Sequence, residues 1–257
     1  MSQSWAVGCS SLGRSKNAGR PVRGLGRRIG RLSVWLFAGA VGLSVLAVLL
    51  LRWVDPPISA VMLQRLVVEG GPQRQVWADL DAISPQMALA VVAAEDQRFP
   101  LHWGFDTDQI IAAVESRLDG GRLRGASTIS QQIARNLFLW QGRSFVRKGL
   151  EVWFTALVEV LWSKRRILEM YLNFAETGER LFGVAAASER FFDRVPARLT
   201  AQQAALIAAV LPNPVLYRVD EPSAYVRKRQ RWILSQMRNL GGTAYLDGIL
   251  DTRRGGA

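Results

Sequence analysis

The sequence predicts a mainly α-helical domain that follows a single N-terminal transmembrane helix. Residues Ser33–Leu51 carry no charged side chain, and nineteen residues of helix rise about 28 Å, enough to cross the hydrocarbon core of a bilayer. In the rest of the chain, apolar residues recur with the 3.6-residue spacing of amphipathic helices. Alternating patterns typical of strands are scarce, and the best short candidate is Arg74–Ala78.

The N-terminal tail predicts the orientation of the transmembrane helix. Residues 1–32 contain seven Lys or Arg and no Asp or Glu. Cytoplasmic flanks carry an excess of Lys and Arg, so we expect the N-terminus in the cytoplasm and the body outside it. A cleaved signal peptide is disfavoured, because the apolar run is long and no clear small-x-small site precedes Asp55. We therefore predict a basic cytoplasmic tail at 1–32, a transmembrane helix at 33–52 and one domain at 53–250.

The overall charge indicates an anionic partner or membrane surface. The 257 residues carry a formal net charge of +12, and the part beyond residue 32 has 26 basic and 21 acidic residues. Nucleic acid is the rival partner, but no helix-turn-helix, zinc-finger or RNA-recognition pattern is present. Cys9 is the one cysteine, so no internal disulfide can form and the redox compartment is left open.

Periodicity places eight helices in the body of the chain. Ser84 is the predicted N-cap of the first, which Pro85 opens, and Thr107 is the predicted cap of the second. The predicted helices cover 85–94, 107–118, 127–140, 145–162, 164–175, 182–192, 200–210 and 222–239.

An acidic pair, Glu95 and Asp96, directly follows the apolar run of the first of these helices. Partial burial raises the pKa of a carboxyl toward neutrality, which suits a general base. The alternative is a solvated polar helix end. His102, the one histidine, excludes a multi-histidine metal cluster, and we expect it to make a structural hydrogen bond within the turn that follows.

The segment 127–140 combines small hydroxyl residues, two amides and a cation on one helical arc. Ser127 or Thr128 can cap this helix, which would leave backbone N–H groups available to an anion. The alternative is an ordinary capped amphipathic helix. The polar arc contains Ser127, Thr128, Gln131, Gln132 and Arg135.

The next helix, 145–162, supplies a second carboxylate among cations. Lys148, Arg143 and Arg135 can neutralise a pyrophosphate. Glu151 could orient these cations, protonate a departing oxygen or hold a divalent ion, and the sequence leaves the three roles open. The alternative is a plain ion pair between Arg147 and Glu151.

Five segments in this order resemble the family-51 glycosyltransferases, the peptidoglycan glycosyltransferases. They are EDQRFPLHWGFD at 95–106, GASTISQQIARN at 125–136, RKGLE at 147–151, SKRRILEMYLN at 163–173 and LTAQQAALIAAVLPNP at 199–214. The resemblance is to the monofunctional members, since Ser-x-x-Lys and Lys-Thr-Gly, the marks of a penicillin-binding half, are absent. We expect SKRRILEMYLN to be scaffold, with Glu169 and Asn173 as internal hydrogen-bond partners.

The resemblance implies a lysozyme-like, mainly helical fold and polymerisation of lipid II into β-1,4-linked glycan strands, with release of undecaprenyl pyrophosphate. At matching positions it implies that Glu95 is the base and Glu151 the second essential carboxylate. Arg135 stands where Lys is common, which keeps the charge but changes the geometry toward phosphate. The substrate-binding positions that it implies are Ser127, Thr128, Gln131, Gln132, Arg135, Asn136, Arg143 and Lys148.

The resemblance also implies the surroundings of the enzyme. We expect the inner membrane of a bacterium, a periplasmic catalytic domain, and lipid II, the growing strand and membrane lipid as partners, with cell-wall synthesis or division proteins as further candidates. No organic cofactor is expected, and a divalent cation, Mg²⁺ or Mn²⁺, is left open. Two rival functions are a membrane-anchored lytic muramidase and a non-enzymatic binder of anionic polymers.

Overall fold

The computed structural model describes residues 23–118, 127–142 and 144–251. The chain divides into two compact units, Met1–Leu43 and Ser44–Ala257. The first helix, α1 (Arg23–Leu50), contains an apolar stretch at Gly30–Leu50 with a mean hydropathy of 2.3, of which only 6% is buried. By length and composition this stretch can cross a membrane, as the sequence predicts.

In the described ranges the second unit contains ten further α-helices and one small sheet. The helices are α2 (Ala60–Glu69), α3 (Pro85–Glu95), α4 (Thr107–Leu118), α5 (Ile129–Phe138), α6 (Phe145–Leu161), α7 (Lys164–Phe174), α8 (Val184–Phe192), α9 (Ala201–Val210), α10 (Ala224–Asn239) and α11 (Asp247–Leu250). Each predicted helix is present, with ends that differ by up to two residues, whereas α2 and the short α11 were not predicted.

Side-chain caps explain where most of these helices begin. The hydroxyl of Ser84 accepts a hydrogen bond from the amide of Gln86, as predicted for the start of α3. The bounds of α4 were predicted correctly, but its predicted N-cap was wrong. Thr107 is the first helical residue, and the carboxylate of Asp106 accepts the hydrogen bond from the Gln109 amide at 3.1 Å. An aspartate caps a helix as well as a threonine does, so the sequence alone misplaced the cap by one residue.

The predicted strand at Arg74–Ala78 is only partly present. Two residues, Arg74–Gln75, form β1, which pairs in parallel with β3 (Leu181–Phe182). The third strand, β2 (Glu176–Gly178), pairs antiparallel with β3, which gives the order β1-β3-β2. From Ala78 the backbone bonds to the Asn173 side chain instead, since its amide donates to Oδ1 and its carbonyl accepts from Nδ2, both at 2.9 Å.

Two groups of helices form the core that positions the candidate site. Helix α3, which is buried from Met87 to Ala93, packs against α9 and α10. The alanines of α9 let α3 approach closely, because a methyl side chain adds little volume. Helix α5 packs against α6 and α7. The two groups meet where the carboxyl end of α3 reaches α5, since hydrogen bonds join Asp96 to the Ile129 amide and Glu95 to the Gln132 side chain.

Within the second unit, the residues that follow Leu43 are tied to the body. The indole Nε1 of Trp162 donates to the Val48 carbonyl at 2.7 Å, and Arg166 donates to the Leu51 carbonyl at 3.1 Å. Val48 is fully buried. Contacts with the domain thus reach back before residue 53, and the predicted boundaries remain a prediction.

The aromatic residues beside position 143 divide between core and surface. Phe138 stacks on Phe154 with ring centroids 4.6 Å apart, and Leu139 is buried. In contrast, Trp140 is half exposed and Phe145 is 98% exposed. Only the last two therefore present apolar surface to the outside, which is the pattern of side chains that enter a membrane interface.

Candidate active site

The candidate site is built around Glu95, the last residue of α3. One of its oxygens, Oε2, accepts a hydrogen bond from Gln132 Nε2 of α5 at 3.0 Å. The other, Oε1, lies 3.5 Å from Arg229 of α10. Oε1 is buried and accepts no hydrogen bond from the described residues. Three helices therefore fix the position of a single carboxylate.

Burial is the main influence on the acidity of this carboxyl, and it raises the pKa of Glu95 above the ordinary value of 4.5. The hydrogen bond from Gln132 and the charges of Arg229 and Arg135 oppose this effect, while the charge of Asp96 adds to it. A carboxylate with a raised pKa is a stronger base and can still be ionised near neutral pH. The structure thus supports the predicted chemistry of a general base.

The second acidic residue of the pair, Asp96, is engaged in internal bonds. Its two oxygens lie 2.9 and 3.1 Å from His102 Nε2, and Oδ2 also accepts the backbone amide of Ile129 at 3.0 Å. Asp96 is only 2% exposed. It joins the end of α3, the His102 turn and the start of α5, and the expected structural role of His102 is confirmed.

The N-terminus of α5 is closed by groups of the protein itself. Thr128 is the N-cap and forms a capping box with Gln131, whose side chain accepts from the Thr128 amide at 3.0 Å. The Thr128 hydroxyl donates to the Gly104 carbonyl at 2.6 Å. Asp96 takes the Ile129 amide and the Thr128 hydroxyl takes the Gln131 amide, so the expectation that backbone N–H groups here are free for a substrate anion was wrong for these two groups.

The predicted substrate-binding residues of α5 differ in exposure. Thr128 and Gln131 are buried, and Gln131 therefore does not lie on a solvated face as its spacing suggested. Ser127, Gln132, Arg135 and Asn136 are half-buried. Contact of all six with substrate stays a prediction.

Gln132, Arg135 and Asn136 line a hollow of about 150 Å³ together with Tyr171. The guanidinium group of Arg135 makes no hydrogen bond or ion pair within the described part of the chain, so its charge is available to a ligand. The Tyr171 hydroxyl donates to Gln132 Oε1 at 3.2 Å. The hollow is thus polar on the side of α5 and α7, beside the carboxylate of Glu95.

The second carboxylate, Glu151, is buried on α6 between two cations. Its Oε1 lies 2.6 Å from Lys148 Nζ and its Oε2 lies 3.4 Å from Arg147. Glu151 is 1% exposed, whereas 52% of the Lys148 side chain is exposed. The ion pair between Arg147 and Glu151 that was the predicted alternative is present, but it is buried rather than on an exposed face. The same carboxylate also holds the outward-facing ammonium group of Lys148 in place. Arg143, predicted beside them, lies outside the described residues.

The backbone of Gly104 joins α6 to the same site. A β-carbon at this position would lie 2.8 Å from the side chain of Glu159 and 2.9 Å from that of Thr155. Its φ of +76° also favours glycine. Because the Gly104 carbonyl accepts from the cap of α5, the close approach fixes α5 against the helix that carries Glu151.

Two residues near Glu95 were not predicted as part of the site. Arg229 belongs to a basic amphipathic helix whose sequence gives no sign that one arginine faces a carboxylate from a distant segment. Tyr171 lies in SKRRILEMYLN, which was predicted to be scaffold, and its ring is indeed buried in α7. A polar tip on an otherwise apolar stripe is a signal that could have indicated it.

A larger hollow, of about 580 Å³, lies beside the sheet. Neither hollow is lined by Glu95 or Glu151, but only the smaller one is lined by Gln132, which donates to Glu95. Three of the four arginines of the larger hollow are engaged: Arg74 with Glu189, Arg180 with backbone carbonyls at 69 and 70, and Arg218 with Asp220. With most of its charge neutralised internally, this hollow is a weaker candidate for an anion than the polar cleft beside Glu95.

The donor set does not favour a divalent metal ion held by the protein alone. Mg²⁺ and Mn²⁺ need several oxygen ligands. In the described ranges no three His, Cys, Asp or Glu side chains meet in a group that could hold an ion. Both oxygens of Glu151 already contact cations. We derive no step through a metal ion.

Comparisons with known proteins agree with this arrangement of residues. The transglycosylase family model matches residues 62–238. A protein of Pseudomonas syringae pv. syringae (strain B728a) named biosynthetic peptidoglycan transglycosylase is 52% identical over 234 residues, which cover 89% of this chain and 97% of that protein. A protein of the same name from Cronobacter sakazakii (strain ATCC BAA-894) is 51% identical over 85% of this chain and 93% of its own length. Another, from Xylella fastidiosa (strain 9a5c), is 52% identical over 80% of this chain and 87% of its own length.

Proposed function

Because the chain belongs to the transglycosylase family, we propose that Glu95 is the base with which it polymerises lipid II. The chain is a peptidoglycan glycosyltransferase of the lysozyme-like, mainly helical class, and it acts in cell wall synthesis. The predictions of family, fold class and enzymatic function are thereby confirmed. The lytic muramidase alternative is not favoured, since the relatives are named as biosynthetic enzymes.

The observation that carries the proposed mechanism is the buried carboxylate of Glu95, with its raised pKa, beside the polar cleft. Glu95 accepts the proton of the 4-hydroxyl group of an acceptor N-acetylglucosamine. The oxygen forms a bond to C1 of the donor sugar while the bond from C1 to the lipid pyrophosphate breaks. Direct displacement inverts C1, so an α-linked donor gives a β-1,4 linkage. Such a base contributes about 10²–10⁴-fold to the rate.

The departing pyrophosphate gains negative charge, and cations beside the cleft stabilise it. Arg135 carries an uncommitted charge and Lys148 projects toward solvent from its contact with Glu151. Of the three roles left open for Glu151, the contacts at 2.6 and 3.4 Å support the orientation of Lys148 and Arg147.

Replacing Glu95 with glutamine tests the assignment of the base. Glutamine keeps the shape and can still bond to Gln132, so the Glu95→Gln protein should bind lipid II yet fail to elongate glycan. Purified full-length protein would be incubated with labelled lipid II, and product length would be followed on gels. Binding of lipid II is the control that shows the site is intact. Polymerisation at a near-normal rate would refute the assignment of Glu95.

We also propose that the apolar helix anchors the enzyme in the bacterial inner membrane with its catalytic domain in the periplasm. The arginines before the helix support this orientation. Because Cys9 is the one cysteine, a thiol reagent that cannot cross membranes reports the side on which the tail lies. Cys9 should react only after the inner membrane is permeabilised. Reaction in intact spheroplasts would place the tail outside and contradict the proposal.

Growing strand and membrane lipid are the other proposed ligands, and we propose that the exposed side chains of Trp140 and Phe145 enter the interface. We also propose that proteins of wall synthesis or division bind this enzyme and that a divalent cation stimulates it. They are tested by co-purification and by polymerisation in the presence of a chelator.

A further inference from the structure

We infer that Tyr171 is a positioning residue for the reaction, because its hydroxyl fixes the side-chain amide of Gln132 in the orientation that serves Glu95. The inference rests on the proposed role of Glu95 as the base. Tyr171 lies on α7, is 2% exposed and is one of the residues that line the cleft. That hydroxyl donates to Gln132 Oε1 at 3.2 Å, and Gln132 Nε2 donates to Glu95 Oε2 at 3.0 Å.

The shape of a glutamine amide does not determine which end faces a neighbour, since its oxygen and nitrogen are nearly the same size. The hydrogen-bond partners determine it instead. In the observed orientation, both ends of the Gln132 amide and the tyrosine hydroxyl proton are satisfied. The reverse orientation would place the Gln132 oxygen against the Glu95 carboxylate, two acceptors with no proton between them. It would also leave the Tyr171 proton without an acceptor among the described residues.

Tyr171 can hold this orientation at every pH at which the enzyme works. Burial raises the pKa of Tyr171 well above its ordinary value of 10, so the hydroxyl keeps its proton. The carboxylate of Glu95 nearby acts in the same direction. A donor that never ionises is needed because an ionised phenolate would turn the amide around and present its oxygen to Glu95.

The consequence for Glu95 is a preference for the ionised, base-competent form. A donor on Oε2 stabilises the carboxylate, whereas the reversed amide would stabilise the protonated acid. The charged groups that face Glu95 are Asp96, Arg135 of α5 and Arg229 of α10. Helix α9 contributes no titratable side chain, and the turn Gly242–Leu246 contributes Tyr245, which bonds to the Gln97 carbonyl at 2.8 Å. None of these groups contacts the Gln132 amide, so its partners in the described part of the chain are Glu95 itself and Tyr171. Of the two, Tyr171 is the one whose hold on the amide does not depend on the charge of Glu95.

The test is the pH dependence of lipid II polymerisation by full-length Tyr171→Phe protein. Phenylalanine keeps the buried ring and removes the hydroxyl alone. We expect the acid limb of the kcat profile to move to higher pH, with kcat about three- to tenfold lower on that limb and a KM close to that of the wild type. Tyr245→Phe is the matched control, since it removes another tyrosine hydrogen bond at the same end of α3 and should leave the profile in place. A Tyr171→Phe profile that coincides with the wild type overturns the inference.

A double-mutant cycle tests whether Tyr171 acts through Gln132. Gln132→Met alone should also move the acid limb to higher pH, and adding Tyr171→Phe should move it no further. If Tyr171→Phe moves the acid limb by the same amount in the wild-type protein and in Gln132→Met, the inference is overturned. Should the phenylalanine variant not fold, 3-fluorotyrosine at position 171 keeps the ring and hydroxyl but donates more strongly, so the limb should then move to lower pH. An acid limb that stays in place in the protein with 3-fluorotyrosine overturns the inference. Failure of the proposed function is distinct, because it appears as polymerisation by Glu95→Gln whatever the profiles show.

Discussion

Removal of the positive charge of Arg229 should move the acid limb of the pH profile of kcat to higher pH. This arginine lies 3.5 Å from Glu95 Oε1, and its charge opposes the effect of burial on the carboxyl. The side chains of Arg229 and Glu95 are 23% and 13% exposed, so solvent screens the pair only in part. Arg229→Met keeps much of the aliphatic stem and deletes the charge, together with the position of the guanidinium carbon 5.9 Å from the centre of the Trp232 ring.

The size of the effect follows from the geometry of the pair. At 3.5 Å, Coulomb's law with an effective dielectric constant of about 20 gives roughly 5 kcal/mol. The cost of removing both groups from water offsets most of this, and about 1–2 kcal/mol is left. Loss of the pair raises the pKa of Glu95 further, so fewer molecules hold the ionised base at a given pH. On the acid limb, kcat should fall roughly 5- to 30-fold, and at high pH the two proteins should converge.

The assay is the initial rate of lipid II polymerisation over a pH series with substrate at saturation. Arg231→Met is the matched control, because it removes the same charge from an exposed position on the same helix. Its profile should match that of the wild type, which would exclude an effect of net charge on membrane binding. A limb that stays in place in Arg229→Met, or one that moves to lower pH, would refute the reasoning from the ion pair.

The remaining predictions concern stability. Because the folded state holds the proton of Glu95 more tightly than the unfolded chain does, stability is greatest below the ordinary pKa and falls as the pH rises through the raised pKa. Glu95→Gln should therefore have a higher Tm than the wild type at pH 7.5 and the same Tm near pH 4, and a lower Tm at pH 7.5 would contradict the raised pKa. Gly104→Ala should lose about 2–4 kcal/mol from its positive φ and its clash with Glu159, which lowers Tm by roughly 5–15 °C. Gly248→Ala, with open space at its β-carbon, should be close to neutral in the same calorimetric scan, and equal losses in both variants would exclude the close-packing argument.

Local patterns predicted the helices because a helix is specified by residues within a few positions of each other. The Ser84-Pro85 start of α3 was found in this way, since cap and first turn are adjacent in the chain. The strand at Arg74–Ala78 was overestimated because its pairing partner is a hundred residues away. The failure at Thr107 has a similar origin, because two good capping residues stand side by side and only the backbone geometry selects Asp106.

The family motifs predict Glu95 and Glu151 as the two carboxylates from the order of residues alone, and the uncharged run at 33–51 predicts the apolar anchor. The internal hydrogen bonds expected of Glu169 and Asn173 are present, since their side-chain oxygens accept the amides of Leu80 and Ala78. What the sequence determined by itself is therefore the set of chemical groups and the class of reaction. Only the tertiary structure decided how those groups are held. Arg229 lies more than a hundred positions from Glu95 along the chain and reaches it because α10 packs on α3. Contacts of this kind depend on how whole helices pack, and no local pattern of residue types encodes them.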